Sequence, residues 1–499
     1  MFTNVLIFTD TGSLNDIFRP AGAYKAASIL RSLGYETHVN FLCTEYTRKG
    51  WLEVAKKYKN KNLIWVGFST TFLTMDSKIH DAWKLEFENP KSNFIDFLKL
   101  SNIGNKELII SRDKERIVYD VKLLEFFSDI FGVPIVLAGT QLTRNSEIER
   151  LRSKKVIFFP GYGEEKLKEL TESIRETSQW TDNRKNVYEF DREKFRRQGF
   201  IWTTNDNIRK EEWLPLEINR GCAFKCAYCT YDHIGQRDHY KLPETLLSEI
   251  IDNNSRFGTE GYFVLDDLYN DSQEKVLDLY NNVFKKLNFQ AEWNSYIRLD
   301  LLWRFPDQIS ILRNSGLRAL AFGIETLSDQ AGKLVGKGLG KQRIIQTLKK
   351  TNDEWKDEIF KTGLWIAGLP YEPKESWQDT FDQQAQWDYT HGDSWQPLYI
   401  NKNTKSLHRS TIDQNYEKFG YVFDDDGWKH EMGYTEQDAK MFCEVSRIQK
   451  PSIGHFEYGN LRSIGCSHND IMHNQDNIKK KNFIKKLFFR RRFNKNFIY

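Results

Sequence analysis

Short apolar runs separated by stretches of helical spacing recur along most of this chain, in two successive series. That alternation restricts the fold more than any single residue does. In the first series Asn4–Phe8, Thr37–Leu42, Leu63–Ser69, Ile135–Gly139 and Val156–Phe159 read as strands. Between the first two, Pro20–Leu33 carries Ala23, Ala26, Ala27 and Leu30 on one helical face and stops at Gly34, where a helix C-terminus favours glycine. Glu164–Arg175 reads as the closing helix. Strands alternating with helices produce a parallel, doubly wound, Rossmann-like sheet, here over residues 1–175. The stretch of about 76–130 is too long for one crossover helix and reads as an insertion.

Residues 176–212 are polar and charged with few apolar repeats, and read as a linker. A second series follows, with strands expected at Leu216–Asn219, Gly261–Leu265, Ala291–Ile297, Leu317–Phe322, Lys361–Ala367 and Ser394–Ile400. Six units fall short of the eight of a complete TIM barrel, so 213–401 is expected to form a partial (β/α)6 TIM-type barrel. Residues 402–478 show no clear period and are read as a cover that shapes a substrate pocket. Residues 479–499 form a basic, aromatic tail. The fold class is therefore α/β, a Rossmann-like sheet followed by a partial barrel and a C-terminal extension.

Composition narrows the function classes. Of 499 residues, 39% are hydrophobic and 14% aromatic, which supports packed cores and excludes global disorder. No run approaches the roughly 18–20 apolar residues of a membrane helix, and the N-terminus lacks the basic and apolar regions of a signal peptide. A cytoplasmic protein without a transmembrane segment is expected. The formal charge of +4 hides an asymmetry: nine bases and no acid lie between Lys479 and Tyr499, so the remainder carries −5. Six cysteines are too few for a disulfide scaffold, and Cys43, Cys443 and Cys466 are scattered. Cys443 reads as a buried small residue, and Cys466, His468 and His473 as packing and surface groups.

The other three cysteines stand together in Arg220-Gly-Cys222-Ala-Phe-Lys-Cys226-Ala-Tyr-Cys229, directly after an expected strand. Three thiolates on one tight loop suit a [4Fe–4S] cluster with one iron left open. The competing reading is a closed zinc site with His233 or His239 as fourth ligand. The C-x3-C-x-aromatic-C pattern after the first barrel strand resembles the radical S-adenosylmethionine superfamily. That resemblance implies a cluster on Cys222, Cys226 and Cys229, which serve as both metal ligands and catalytic residues. The amino and carboxylate groups of S-adenosylmethionine then chelate the fourth iron, and reductive cleavage yields methionine and a 5′-deoxyadenosyl radical.

Segments farther along the chain resemble the same superfamily. Tyr228 occupies its aromatic position near the adenine. Tyr262-Phe-Val-Leu-Asp266-Asp267 resembles the strand end that holds the methionine amino group, and Ser295-Tyr-Ile-Arg298 closes the third strand. Gly316–Glu325 resembles the fourth-strand signature, whose glutamate reaches the ribose hydroxyls. Gly368-Leu-Pro-Tyr-Glu372 resembles a Gly-Leu-Pro-Gly-Glu segment, with Tyr371 in place of a glycine, and the resemblance implies S-adenosylmethionine contacts at Tyr228, Asp266, Asp267, Ser295, Arg298, Glu325 and Gly368.

The upstream Rossmann-like domain resembles the cobalamin-binding domain of the cobalamin-dependent subgroup. Arg19-Pro-Ala-Gly22, Ser69-Thr70-Thr71, Gly139-Thr140 and Gly161-Tyr-Gly163-Glu164 sit at its turns, and the resemblance implies cobalamin contacts at Ser69, Thr70, Gly139, Thr140, Gly161 and Gly163. The subgroup's lower-ligand histidine motif is absent, since Asp10-Thr-Gly-Ser-Leu-Asn follows the first strand, and His38 and His80 read as structural. The implied activity is a radical methyltransferase acting on an unactivated centre of a small molecule or peptide. A low-potential donor such as flavodoxin or ferredoxin would supply electrons. Two alternatives stay open: a cobalamin-independent radical enzyme with a degenerate first domain, acting on RNA through the basic tail, and a non-catalytic cobalamin or cluster-binding sensor.

Overall fold

The computed structural model describes residues 3–11, 17–43, 46, 48–60, 62–70, 121–139, 142, 153–230, 239–402, 409–450 and 452–473. His80, Thr71, Thr140, His233 and the tail 479–499 lie outside them, as does most of the expected insertion. The first sheet contains β1 (Val5–Thr9), β2 (Thr37–Phe41), β3 (Trp65–Ser69), β4 (Ile135–Gly139) and β5 (Val156–Pro160), all parallel in the order β2-β1-β3-β4-β5. Helices α1 (Ala21–Ser32) and α4 (Leu167–Thr177) cover one face, while α2 (Arg48–Tyr58) and α3 (Val121–Phe131) cover the other. Both faces of β1 and β3 are therefore buried, which is why these strands read as unbroken apolar runs rather than as alternating ones.

The segment after α4 is more than a connector. Its helix α5 (Arg192–Arg197) buries Phe195, and Phe200 and Trp202 enter the core shared with the second sheet. Two buried ion pairs tie the segment back to the first domain: Arg19 grips Glu212 at 2.5 Å and 3.1 Å, and Arg31 grips Asp206 at 2.9 Å and 3.0 Å.

The second sheet is parallel in the order β13-β12-β11-β10-β9-β6. Its strands are β6 (Leu214–Leu216), β9 (Gly261–Val264), β10 (Glu292–Ile297), β11 (Leu317–Glu325), β12 (Phe360–Ala367) and β13 (Gly392–Pro397). The expected six-stranded open barrel is present, with its first strand two residues earlier than the sequence suggests. Between β6 and β9 a short antiparallel pair, β7 (Asn219–Arg220) with β8 (His239–Tyr240), forms the base of the cysteine loop.

The extension contributes a hairpin, β14 (Tyr421–Asp424) and β15 (Gly427–His430), followed by helices Glu436–Gln449, His455–Ser463 and His468–His473. The second of these helices lies against the inner face of the open barrel, where Tyr458 and Leu461 pack with Phe263, Ala319 and Phe360. The loop after β1 reaches the same lumen: Ile17 is buried there and its N–H donates to the Asn460 side chain at 3.2 Å. Among the described residues no helix is long and apolar enough to cross a membrane.

Candidate active site

The cysteine loop leaves β7 at Arg220 and is fixed at several points. Asp266, at the end of β9, accepts hydrogen bonds from the N–H groups of Ile218 (2.9 Å) and Asn219 (3.0 Å). The Ala227 N–H donates to the Val335 carbonyl, and the Cys229 N–H donates to that of Cys226, closing a turn. Cys226 is buried, and Cys222 and Cys229 are half-buried. Burial pushes the Cys222 thiol up to about 11. No three His, Cys, Asp or Glu side chains among the described residues are close enough to share one ion. His239, a zinc candidate from sequence, instead pairs with Arg220 across the β7–β8 ladder and packs its ring toward Phe190. The donor set, three thiols spread along one loop, fits an iron–sulfur cluster.

The C-terminal rim of the barrel brings several expected residues to this loop. Tyr228 donates its hydroxyl to Glu325 Oε1 at 2.8 Å, linking the loop to the end of β11. Glu325 has φ 70°, a left-handed conformation costly for a residue with a Cβ. Lys337 holds that turn by donating to the Gly323 carbonyl at 2.8 Å, with its ammonium 3.4 Å from the Glu325 carboxylate. Arg298, just past β10, donates to Cys226 Sγ at 3.3 Å. Asn270, which the sequence did not single out, accepts from the Arg298 N–H at 2.8 Å and donates to its carbonyl at 3.1 Å.

Other expected residues have different surroundings. Ser295 is not brought to the rim cluster. Its neighbours Asn294 and Tyr296 meet His455 on the lumen side, and Trp293 packs on Tyr269 and Phe284 on the other, so alternation turns Ser295 away from the lumen. Asp266 accepts from the backbone just ahead of the cysteine loop, whereas Asp267 lines a cavity. Gly368 has φ 92°, and a Cβ there would lie 2.6 Å from the Trp428 ring, so glycine answers to packing against β15. Tyr371 retains φ 57° at the position expected to be glycine, and its ring meets His430 edge-on at 4.9 Å. Thr326 donates to Glu372 at 2.5 Å, joining the ends of β11 and β12. Burial pushes the Glu372 carboxyl up to about 8 despite the hydrogen bond from Thr326.

The cavity, of about 290 Å³, lies along the C-terminal edge of the first sheet. Small residues such as Gly22, Gly67 and Ala138 form much of its wall, with Trp65 and Phe159 as the large apolar surfaces. Ser69, Gly139, Gly161 and Gly163 line it as well. Thr70 does not: its N–H and hydroxyl both donate to the Ala138 carbonyl, stapling β3 to β4. Two of the glycines serve the chain's own packing, since a Cβ at Gly161 would lie 2.1 Å from the Val187 carbonyl and one at Gly163 2.3 Å from the Phe159 ring. His38 sits in β2 beside Glu36 (3.4 Å) and Tyr58. Asn219, Arg220, Leu265 and Asp267 of the second domain complete the wall, so the cysteine loop begins at the cavity. Arg220 is clamped there by Glu164 (2.8 Å) and Glu217 (2.5 Å), with its guanidinium 4.5–4.8 Å from the rings of Tyr162, Phe190 and Phe195. A wall of small and apolar groups along strand ends, with charge at one side, suits a broad flat ligand.

Residues 216–383 match the radical SAM superfamily, and this segment contains the cysteine loop, Arg298, Glu325 and Glu372. The chain thus carries a radical S-adenosylmethionine domain behind a doubly wound domain. It is 24% identical over 176 residues to an uncharacterized methyltransferase of Pyrococcus horikoshii. It is 26% identical over 171 residues to the ribosomal protein uS12 methylthiotransferase RimO of Protochlamydia amoebophila. These alignments span 34% and 33% of this chain and only 37% and 36% of those proteins. Among solved structures, the radical S-adenosylmethionine methyltransferase TsrM of Kitasatospora setae, with tryptophan and a SAM analogue bound, superposes with a TM-score of 0.61 at 14% identity. That match covers 96% of this chain and 99% of that one. The cobalamin-dependent radical enzyme OxsB, with aqua-cobalamin and S-adenosylmethionine bound, gives 0.53 at 13% identity over 98% and 72%. The two-domain fold is common to all three.

Proposed function

We propose that this chain is a cobalamin-dependent radical S-adenosylmethionine methyltransferase whose substrate is a small molecule or peptide. The observation that carries this reading is the shared wall: Arg220, two residues before the first cluster cysteine, and Asp267, at the end of β9, both border the cavity of the first domain. Cys222, Cys226 and Cys229 would hold a cluster, which would supply the electron for S-adenosylmethionine cleavage, and the cavity wall around Gly67, Ser69, Gly139 and Gly161 would hold a corrinoid as methyl carrier. The chain's own residues bind and orient. Glu325, anchored by Tyr228 and Lys337, presents carboxylate oxygens for the ribose hydroxyls, and Tyr228 offers its ring to the adenine. Arg220 and Glu164 bind the two domains at the cavity edge, so that both cofactors are held in one geometry. TsrM and OxsB, whose folds this chain shares, are a methyltransferase and a cobalamin-dependent radical enzyme, which supports the reading.

Anaerobic reconstitution with iron, sulfide and cobalamin, followed by optical spectra, tests it. The expected product carries both a broad cluster absorption and stoichiometric corrinoid after gel filtration. A cluster without corrinoid points to the cobalamin-independent enzyme. With S-adenosylmethionine and a flavodoxin or dithionite as reductant, 5′-deoxyadenosine is expected, and Cys226→Ala should abolish both cluster and product. A cofactor-loaded protein that never turns over S-adenosylmethionine would instead be a sensor.

A further inference from the structure

Arg298 has a geometry that a simple ligand-binding arginine does not need. Its Nε donates to Asp300 Oδ1 at 2.9 Å, and Nη2 donates to Asp300 Oδ2 at 2.8 Å and to the Gly336 carbonyl at 3.3 Å. One face of the guanidinium is closed by the Phe224 ring, whose centroid is 3.8 Å from Cζ. The backbone on either side is gripped by Asn270, itself tied to Gln308 at 3.0 Å. With the plane and the fork both fixed, Nη1 is aimed at Cys226 Sγ, 3.3 Å away, in a buried setting. Sequence resemblance had suggested S-adenosylmethionine as the partner of Arg298. In this structure Nε and Nη2 are committed to protein groups, and the remaining nitrogen faces a thiol of the cysteine loop.

We propose that Arg298 is the hydrogen-bond donor that sets the reduction potential of the cluster, acting on the thiolate of Cys226. The inference rests on the cluster assigned above. Arginine stays protonated at any working pH, so this donor is permanent. A charge-assisted hydrogen bond to a ligating sulfur withdraws electron density, and hydrogen bonds to sulfur and local charge are among the factors that fix iron–sulfur potentials. When the cluster gains its one electron its negative charge grows, so the donor stabilises the reduced state more than the oxidised one and raises the potential. Asp300 offsets the charge of Arg298 at long range but leaves the positive end of the pair facing the sulfur. Phe224, between Cys222 and Cys226, keeps water from that face. Arg298 thereby helps a mild biological donor populate the reduced state that S-adenosylmethionine cleavage requires.

The test is an EPR-monitored redox titration of full-length, reconstituted protein, with dithionite as reductant and no S-adenosylmethionine present. Arg298→Gln is expected to retain iron and sulfide but to lower the one-electron reduction equilibrium about tenfold, equivalent to ~59 mV. An unchanged potential at equal cluster content overturns the proposal, even if S-adenosylmethionine binding is lost. Should Arg298→Gln fail to assemble a cluster, pulsed EPR on reduced wild-type protein containing guanidino-15N arginine decides. A 15N hyperfine coupling to the cluster is expected, and its absence overturns the proposal. Wild-type protein that builds no cluster at all would instead defeat the radical S-adenosylmethionine reading beneath it.

Discussion

Glu325 and Glu372 are carboxylates at the ends of neighbouring strands, in different surroundings. Glu325 accepts a hydrogen bond from the Tyr228 hydroxyl at 2.8 Å and lies 3.4 Å from the Lys337 ammonium. Glu325→Gln should leave the cluster intact and weaken S-adenosylmethionine binding by about 10- to 100-fold, the range expected for lost charge-assisted hydrogen bonds. Isothermal titration under anaerobic conditions reads this directly, and an unchanged affinity would remove Glu325 from the ribose site. Glu372 is pushed up to about 8 by burial, so the folded protein keeps its proton at pH 7 whereas an unfolded chain loses it near pH 4.5. Between those values the native state binds more protons than the unfolded one, and stability must fall as pH rises. Its contribution is fully present below about pH 4.5 and is lost by about pH 8. Glu372→Gln, which keeps the donor–acceptor shape without the titration, should therefore flatten the decline of Tm between pH 5 and 8. Equal slopes in the two proteins would show that another group carries the effect. Cysteine spacing made the cluster loop legible in the sequence, but the Arg298 contact joins residues 72 positions apart and has no local signature.

At the level of elements, the strands of both sheets were readable because burial on two faces leaves nearly continuous apolar runs, as in Val5–Thr9 and Trp65–Ser69. The first barrel strand runs over Leu214–Leu216, ahead of the expected Leu216–Asn219, and it contains Pro215, a residue uncommon within strands. Yet β6 is the edge of its sheet, paired only with β9, and edges tolerate proline. The segment 176–212 looked like a linker because its important side chains are charged. Their partners, Arg19 and Arg31, lie 193 and 175 residues away, so no periodicity announces them. Glu212 and Arg19 are both almost fully buried, which makes the pair costly to break from one side. Glu212→Gln should destabilise the protein by about 3–5 kcal/mol, since it removes the carboxylate paired with the buried Arg19 charge. Chemical denaturation should show a lower midpoint with an unchanged slope. A loss below ~1 kcal/mol would mean that water or another acid replaces Glu212. The Arg19–Glu212 contact belongs to the seam between the domains, so cobalamin retention is expected to fall together with stability in this variant.

Across the whole molecule, the charge of +4 describes neither of its parts. Nine bases lie between Lys479 and Tyr499, and the rest of the chain carries −5. Within the described body, the domain seam is held by Arg19–Glu212, Arg31–Asp206 and Arg220–Glu164, and the rim by Lys337–Glu325 and Arg298–Asp300. The lumen of the open barrel is also filled from within, by Ile17 from the first domain and by the helix His455–Ser463. The cluster loop is tied to the rim by described residues, through Ala227–Val335, Tyr228–Glu325 and Arg298–Cys226. Deleting residues 479–499 should therefore leave iron content, corrinoid retention and 5′-deoxyadenosine yield unchanged, while turning the protein from net basic to net acidic. Retention on anion- and cation-exchange resins reports the charge, and anaerobic assays report the chemistry. If the segment serves recognition of a polyanion such as RNA, binding to RNA should lose its steep salt dependence in the deleted form while the cofactor assays hold. Loss of cluster or corrinoid on deletion would instead place the segment within the structural support of the active site, since a charge effect alone is screened beyond about 10 Å at 0.1 M salt and could not reach a buried centre from the surface.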